Sequence, residues 1–167
     1  MIHRVELPVT PEDLDALADL LLDGVAGNAS LGFARDTTFA QAREWWAALD
    51  PLTTVLLGAR EDGRIVGSAL LGFSRFPNGR HRAEVGKVMV LSTYRRRGLG
   101  RALMDAVEEE ARRAGKTLLF LDTESGSAAE TMYRELGWTA AGTIPDFAYR
   151  PDGELRPTTF YYRRLNF

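Results

Sequence analysis

Alternating apolar positions give way to helical spacing early in the chain. His3 to Leu7 alternates and predicts a first strand. Thr10-Pro11-Glu12-Asp13 is a helix start, with Thr at the N-cap, Pro next and an acid three residues on. Leu14, Leu17, Ala18, Leu21 and Val25 then recur on one helix face. Gly27 to Gly32 breaks the pattern. Thr38 with Gln41 opens a second helix over 39–49, stopped by Pro51.

Apolar strands are predicted at 53–60 and 64–75, joined by Asp62-Gly63, a tight-hairpin signal. Pro77-Asn78-Gly79 is a turn, and Arg82 to Leu91 is a further strand. The next helix spans 99–114, with Leu99, Leu103, Ala106, Val107, Ala111 and Ala114 on its apolar stripe and Gly115 at its end. Glu108/Arg112 and Glu109/Arg113 pair along its wet side. Thr117 to Asp122 is continuously apolar, as expected of a strand buried on both faces. A helix over 128–136 ends at Gly137. Strands at 138–144 and 158–165 close the chain around a loop from Pro145. The order β-α-α-β-β-β-α-β-α-β-β predicts one α/β domain over residues 1–167, its mixed sheet parallel around both central crossover helices.

The 167 residues allow one sizeable core. Net charge is -2, against a nucleic-acid binder driven by bulk charge. Cys is absent, which excludes disulfides, thiolate catalysis and Cys-ligated metal. His3 and His81 are too few for a His-rich metal site, and His81 reads as a surface residue. No signal-peptide core or membrane-length apolar run is visible, so the expectation is a cytoplasmic protein with neither membrane nor metal.

The most informative stretch joins the strand at 82–91 to the helix at 99. Gly98 and Gly100 let the backbone turn and expose its amides, and the helix dipole adds positive charge there. Arg95, Arg96, Arg97 and Arg101 supply cations suited to a ligand with several phosphates. A nest of N–H groups at a helix N-terminus binds phosphate oxygens. The Gly-Lys-Ser/Thr ending of a P-loop and the third glycine of a dinucleotide fingerprint are both missing. A solvated basic turn that merely starts a helix is the competing reading.

This segment resembles the acyl-CoA-binding signature of the GCN5-related N-acetyltransferases (GNAT), Arg/Gln-x-x-Gly-x-Gly/Ala, met by Arg95, Gly98 and Gly100. The family's Ala-x-x-Leu-Tyr-x-x-x-Gly-Phe is matched by Ala129, Met132, Tyr133, Gly137 and Trp138. Gly126 stands where many members carry Asn. Residues 27–33, 82–85, 121–124 and 151–158 are also similar to the tabtoxin-resistance branch, which acetylates a β-lactam amino-acid toxin.

The resemblance implies a mixed, mostly antiparallel sheet with flanking helices, and a splayed parallel strand pair that holds acetyl-CoA. It implies cofactor contacts at Val88, Met89, Val90, Arg95, Arg96, Arg97, Gly98, Leu99, Gly100, Arg101 and Ser127. Pantetheine would pair with backbone near Val88 and Val90, and an amide near Val90 would meet the thioester oxygen. Tyr133 is the implied general acid at the sulfur.

An alkylammonium must lose a proton before it attacks. Acids in otherwise apolar strands are the candidates for that work. Alternation puts Glu84 on one face with Gly86, Val88 and Val90, while Asp122 ends the neighbouring strand at its carboxyl edge. The two carboxylates hold the ammonium or relay its proton through water. An ordinary ion pair for Glu84 and a turn cap for Asp122 are the alternatives.

The acceptor pocket is expected to draw on Asn28, Phe33, Asn78, Asp146 and Tyr161. The expected partner is a small-molecule primary amine of amino-acid type. Protein N-termini or lysines, and a non-catalytic acyl-CoA-binding domain, are the rival functions. The apolar, aromatic C-terminal strand suggests a homodimer.

Overall fold

The computed structural model describes residues 1–167. β1 (Ile2–Val5) leads to α1 (Pro11–Ala26) and α2 (Phe39–Ala47). Both helices start where the residue types require. Thr10 Oγ1 accepts from Asp13 N, and Thr38 and Gln41 cap each other reciprocally. β2 (Thr54–Glu61) and β3 (Arg64–Phe73) form a hairpin through Asp62 and Gly63, whose φ values are 50° and 78°. Positive φ at both turn residues matches the strand twist, and Asp-Gly tolerates it.

β4 (Arg82–Val90), α3 (Leu99–Arg113), β5 (Leu118–Glu124), α4 (Ala128–Glu135), β6 (Thr139–Tyr149) and β7 (Leu155–Arg164) follow. One seven-stranded sheet runs β1-β2-β3-β4-β5-β7-β6, and only β4 and β5 are parallel. The expectation of parallel strands around both crossover helices is therefore half right. α3 returns the chain to a parallel neighbour. α4 delivers it to the sheet's far edge, and β7 inserts antiparallel between β5 and β6.

Helices cover both faces of the sheet. α3 and α4 bury Leu103, Met104, Val107, Ala111 and Tyr133 against one face. α1 and α2 bury Leu17, Leu21, Ala42 and Trp46 against the other. Each fully buried Leu contributes about 1.5–3 kcal/mol of transfer free energy. Trp138 is also buried, while Trp45 is only partly so.

One further expectation changes. The segment after Pro145 is not a long loop: β6 continues to Tyr149 across an irregularity between Ile144 and Ala148, leaving a short turn before Leu155. β7 is flanked on both sides, so its backbone offers no free edge to a second copy. The sheet's edge strands are β1 and β6, the latter exposed along almost its whole length. No helix is long and apolar enough to cross a membrane.

Candidate active site

The turn into α3 is built to leave amides free. Arg96 (φ 63°) and Gly98 (φ 81°) both sit in the left-handed region and swing successive N–H groups to one side. None of the N–H groups from Arg96 to Arg101 has a protein acceptor, whereas Ala102 N already donates to Gly98 O at 3.0 Å. A Cβ on Gly100 would come within 3.1 Å of Met132 Sδ, so a small residue lets α3 start close against α4.

Three of the four arginines are engaged by protein groups. Arg95 Nε donates to Val90 O at 3.0 Å, and Arg97 Nη2 reaches Thr93 O at 3.3 Å and lies over the Tyr94 ring. Arg101 pairs with Glu135. Arg96 alone keeps an exposed guanidinium without a protein partner. Asp23, on α1, accepts from Ser92 N at 2.8 Å and Ser92 Oγ at 2.6 Å, clamping the start of the turn. Sequence reasoning missed Asp23, which looks like any other acid on a helix.

Beside this turn the sheet opens. β4 and β5 pair only from Arg82/Leu118 to Glu84/Phe120, then part. β4 also carries a bulge. Gly86 faces Leu70, but Met89 faces Ser68, so three steps on β4 match two on β3. Lys87 takes the irregular position (φ 48°), and its carbonyl accepts from Ser68 Oγ at 2.7 Å.

The bulge overturns the expectation from alternation. Ala83 and Val85 pack toward α3 and α4; beyond the bulge Val88 and Val90 do so, while Met89 packs toward α1. Glu84 therefore points to the α1 side of the sheet, opposite Val88 and Val90.

A cavity of about 880 Å³ runs through the parted strands. Glu84, Asp122 and Tyr133 all line it. Burial pushes the Glu84 carboxyl above the usual range, and the negative charge of Asp122 pushes the same way, against the opposing pull of Lys87. Tyr133 is 5% exposed and sits at a ring-centroid distance of 6.1 Å from Trp138. Its hydroxyl has no protein partner, and burial first, Asp122 second, hold its pKa above the ordinary phenol value.

Lys87 is the lining residue that sequence reasoning missed. It follows Gly86 in an apparently regular strand, and only the bulge turns it inward. Its Nζ lies 5.8 Å from the Phe33 ring centroid and 4.9 Å from that of Trp45, with no ion-pair partner. Burial lowers its pKa, although Asp122 and Glu84 both favour its charge.

Other candidates divide. Val88, Met89, Val90, Arg95, Ser127 and Asn28 line the cavity. Ser127 also caps α4, accepting from Glu130 N at 3.1 Å. Phe33 stands behind Lys87, edge-on to Trp45. Asn78 is exposed in the turn before β4, and Asp146 is exposed within the β6 irregularity (φ 49°). Neither lines the cavity. Nor does Tyr161, which is 2% exposed and donates to Glu130 Oε1 at 2.8 Å in the core. No group of three or more His, Asp or Glu side chains converges as a metal site would need.

Residues 23–138, from the Asp23 clamp through both parted strands to Trp138, match the Acetyltransferase (GNAT) family. The chain belongs to that family. It is 28% identical to the L-methionine sulfoximine/L-methionine sulfone acetyltransferase of Salmonella typhimurium over 134 residues, covering 80% of this chain and 78% of that protein. Among solved structures it resembles the yncA acetyltransferase of Salmonella typhimurium, solved with its cofactor acetyl-CoA (TM-score 0.82, 25% identity, 100% of this chain and 94% of that one). It also resembles the ribosomal-protein-alanine N-acetyltransferase of Brucella melitensis (TM-score 0.80, 28% identity, 99% of each chain).

Proposed function

We propose that this GNAT acetyltransferase moves an acetyl group from acetyl-CoA to the primary amine of a small, amino-acid-type acceptor. The observation that carries this is the cavity between parted β4 and β5, with Glu84, Asp122 and Tyr133 on its wall beside a turn of six free amides. Free N–H groups at a helix N-terminus suit a diphosphate, and Arg96 adds an unpaired cation. Acetyl-CoA, when bound, supplies the activated acetyl group as a thioester. The remaining steps fall to the chain's own residues.

Glu84 and Asp122 attract the acceptor's ammonium. The raised pKa of Glu84 suits it to accept a proton from the acceptor's ammonium. Tyr133 keeps its proton at neutral pH and donates it to the departing sulfur.

Lys87 favours an acceptor that also carries an anion. Its ammonium is half-buried, faces the cavity near Glu84 and Asp122, lies over the Phe33 and Trp45 rings and makes no ion pair. A carboxylate placed against it would complete the pair, which fits the amino-acid analogues acted on by the Salmonella relative. The Brucella relative supports a second reading, a protein N-terminus.

Release of CoA thiol from acetyl-CoA, followed across a panel of amino acids, amino-acid analogues, aminoglycosides and peptides, tests the proposal. Turnover on α-amino acids, reduced at least tenfold for their decarboxylated amines, is expected. Equal rates on both sets would remove Lys87 from the scheme. Acetyl-CoA binding without turnover on any amine would overturn the enzyme reading.

A further inference from the structure

Two lips of the cavity, far apart in sequence, are tied together by one residue pair. The 27–32 segment after α1 forms one lip, and Phe147, Ala148 and Arg150 at the end of β6 form the other. Asn28 Nδ2 donates to Asp152 Oδ2 at 2.9 Å, and Asn28 Oδ1 accepts from Asp152 N at 3.1 Å. Both ends of one side-chain amide thus engage a single residue 124 positions away. Asn28 adopts φ 64°, a region Asn tolerates better than most residues.

The second lip is held independently. Arg150 forks onto Glu124 at 2.7 and 2.8 Å, anchoring the β6–β7 turn to β5. Asp152 Oδ1 accepts from Glu154 N at 2.9 Å, and Pro151 is buried under the turn. The turn is therefore shaped by its own contacts, and the Asn28–Asp152 pair adds only the span between lips. That span is exposed to water, where single hydrogen bonds are weak. It is placed to close a gap rather than to hold the fold.

We infer that the Asn28–Asp152 pair is a latch across the acceptor end of the cavity, admitting amines of free amino-acid size and excluding those that continue into a peptide chain. The inference rests on the acceptor reading above and separates the two relatives that point different ways. An acceptor that enters as the end of a polypeptide needs an open groove for the residues behind its amine. The pair joins the two lips between which such a groove would have to run.

The test opens the latch from either side. Asp152→Ala removes the oxygen that accepts from Asn28 Nδ2, together with the one that accepts from Glu154 N, and leaves the Asp152 N bond to Asn28 and the Arg150–Glu124 pair in place. Asn28→Gly removes the amide and keeps a residue at ease with positive φ. Initial rates with saturating acetyl-CoA are measured on L-methionine sulfone, its dipeptide with glycine, and a six-residue peptide beginning with the same residue. Wild type is expected to acetylate the free amino acid and neither peptide. Both variants should raise the peptide-to-amino-acid ratio of kcat/KM at least tenfold, with the acetyl-CoA KM within twofold of wild type. Wild-type activity on the hexapeptide, or a ratio that stays within twofold in both variants, overturns the latch while leaving the acceptor reading intact. No turnover on any of the three amines overturns the acceptor reading, and the latch falls with it.

Discussion

Replacing Tyr133 by Phe removes one oxygen and little else. The ring sits among buried residues beside Trp138, so its packing is retained. The hydroxyl has no protein partner, so the substitution strands no donor or acceptor. Folding stability should therefore change by less than about 0.5 kcal/mol, as at sites free of special contacts. Catalysis should change far more. General acid catalysis contributes roughly 10²–10⁴ in rate. A thiol of pKa about 8.5 leaves without much help. The loss belongs at the low end, on the order of 10² in kcat, or about 2.7 kcal/mol of barrier. CoA binding should hold, because the free amides from 96 to 101 are untouched.

The assay is steady-state thiol release with wild type and Tyr133→Phe, alongside calorimetric CoA affinity and thermal unfolding. A second acyl donor with a more acidic thiol sharpens it. The better the leaving group, the smaller the gap between the two proteins should become. A folded Tyr133→Phe enzyme with kcat within threefold of wild type refutes the proton-donor assignment. A large loss that does not narrow with the better leaving group does the same, since the hydroxyl would then be doing something other than protonating sulfur.

Glu84→Gln should flatten the acidic limb of the kcat/KM profile, which in wild type should lie above the ordinary carboxylate range because burial and Asp122 raise this pKa. The linked stability runs the other way: a carboxyl with a raised folded pKa favours the native state when protonated, so wild type loses that contribution as pH rises through the folded value, and Glu84→Gln at pH 7 should melt no lower than wild type. Gly98→Ala should cost about 1–2 kcal/mol in thermal unfolding, from φ 81° alone since no atom crowds the new Cβ, and should weaken CoA binding in calorimetry by disturbing the amides beside it. Tyr161→Phe should destabilise by about 1–3 kcal/mol, because Glu130 Oε1 loses a buried donor, while KM for the amine stays unchanged.

The sequence made the helices and the turn into α3 legible because local chemistry decides both. Thr10, Thr38 and Gln41 cap their helices through contacts three residues away, and Gly98 marks a left-handed residue that few other side chains accept. The order of strands in the sheet is not a local property. Nothing within β6 or β7 says that the last strand inserts beside β5 and leaves its predecessor at the edge. The same distinction governs Tyr161. Its pattern fits a pocket wall as well as a core strand, and only Glu130, 31 residues earlier, fixes it in the core.

The bulge at Lys87 shows most clearly why the acceptor side was harder to read than the cofactor side. A strand with unbroken alternation would set Glu84 beside Val88 and Val90 and send Lys87 to the opposite face from all three. One extra residue reverses that phase. The apolar pair past the bulge turns toward α3, so Val88 and Val90 stay partly buried against that side of the core where β4 parts from β5. Lys87 turns into the cavity next to the two carboxylates. The deformation that opens the cleft is thus also the one that brings the Lys87 cation beside Glu84 and Asp122. Glu84, Asp122 and Lys87 then lie together on the cavity wall, and under the proposed function they complement a molecule bearing both an ammonium and an anion. An acceptor with only a positive charge would meet Lys87 as a repulsive neighbour in a partly dry site, where like charges interact more strongly than in water.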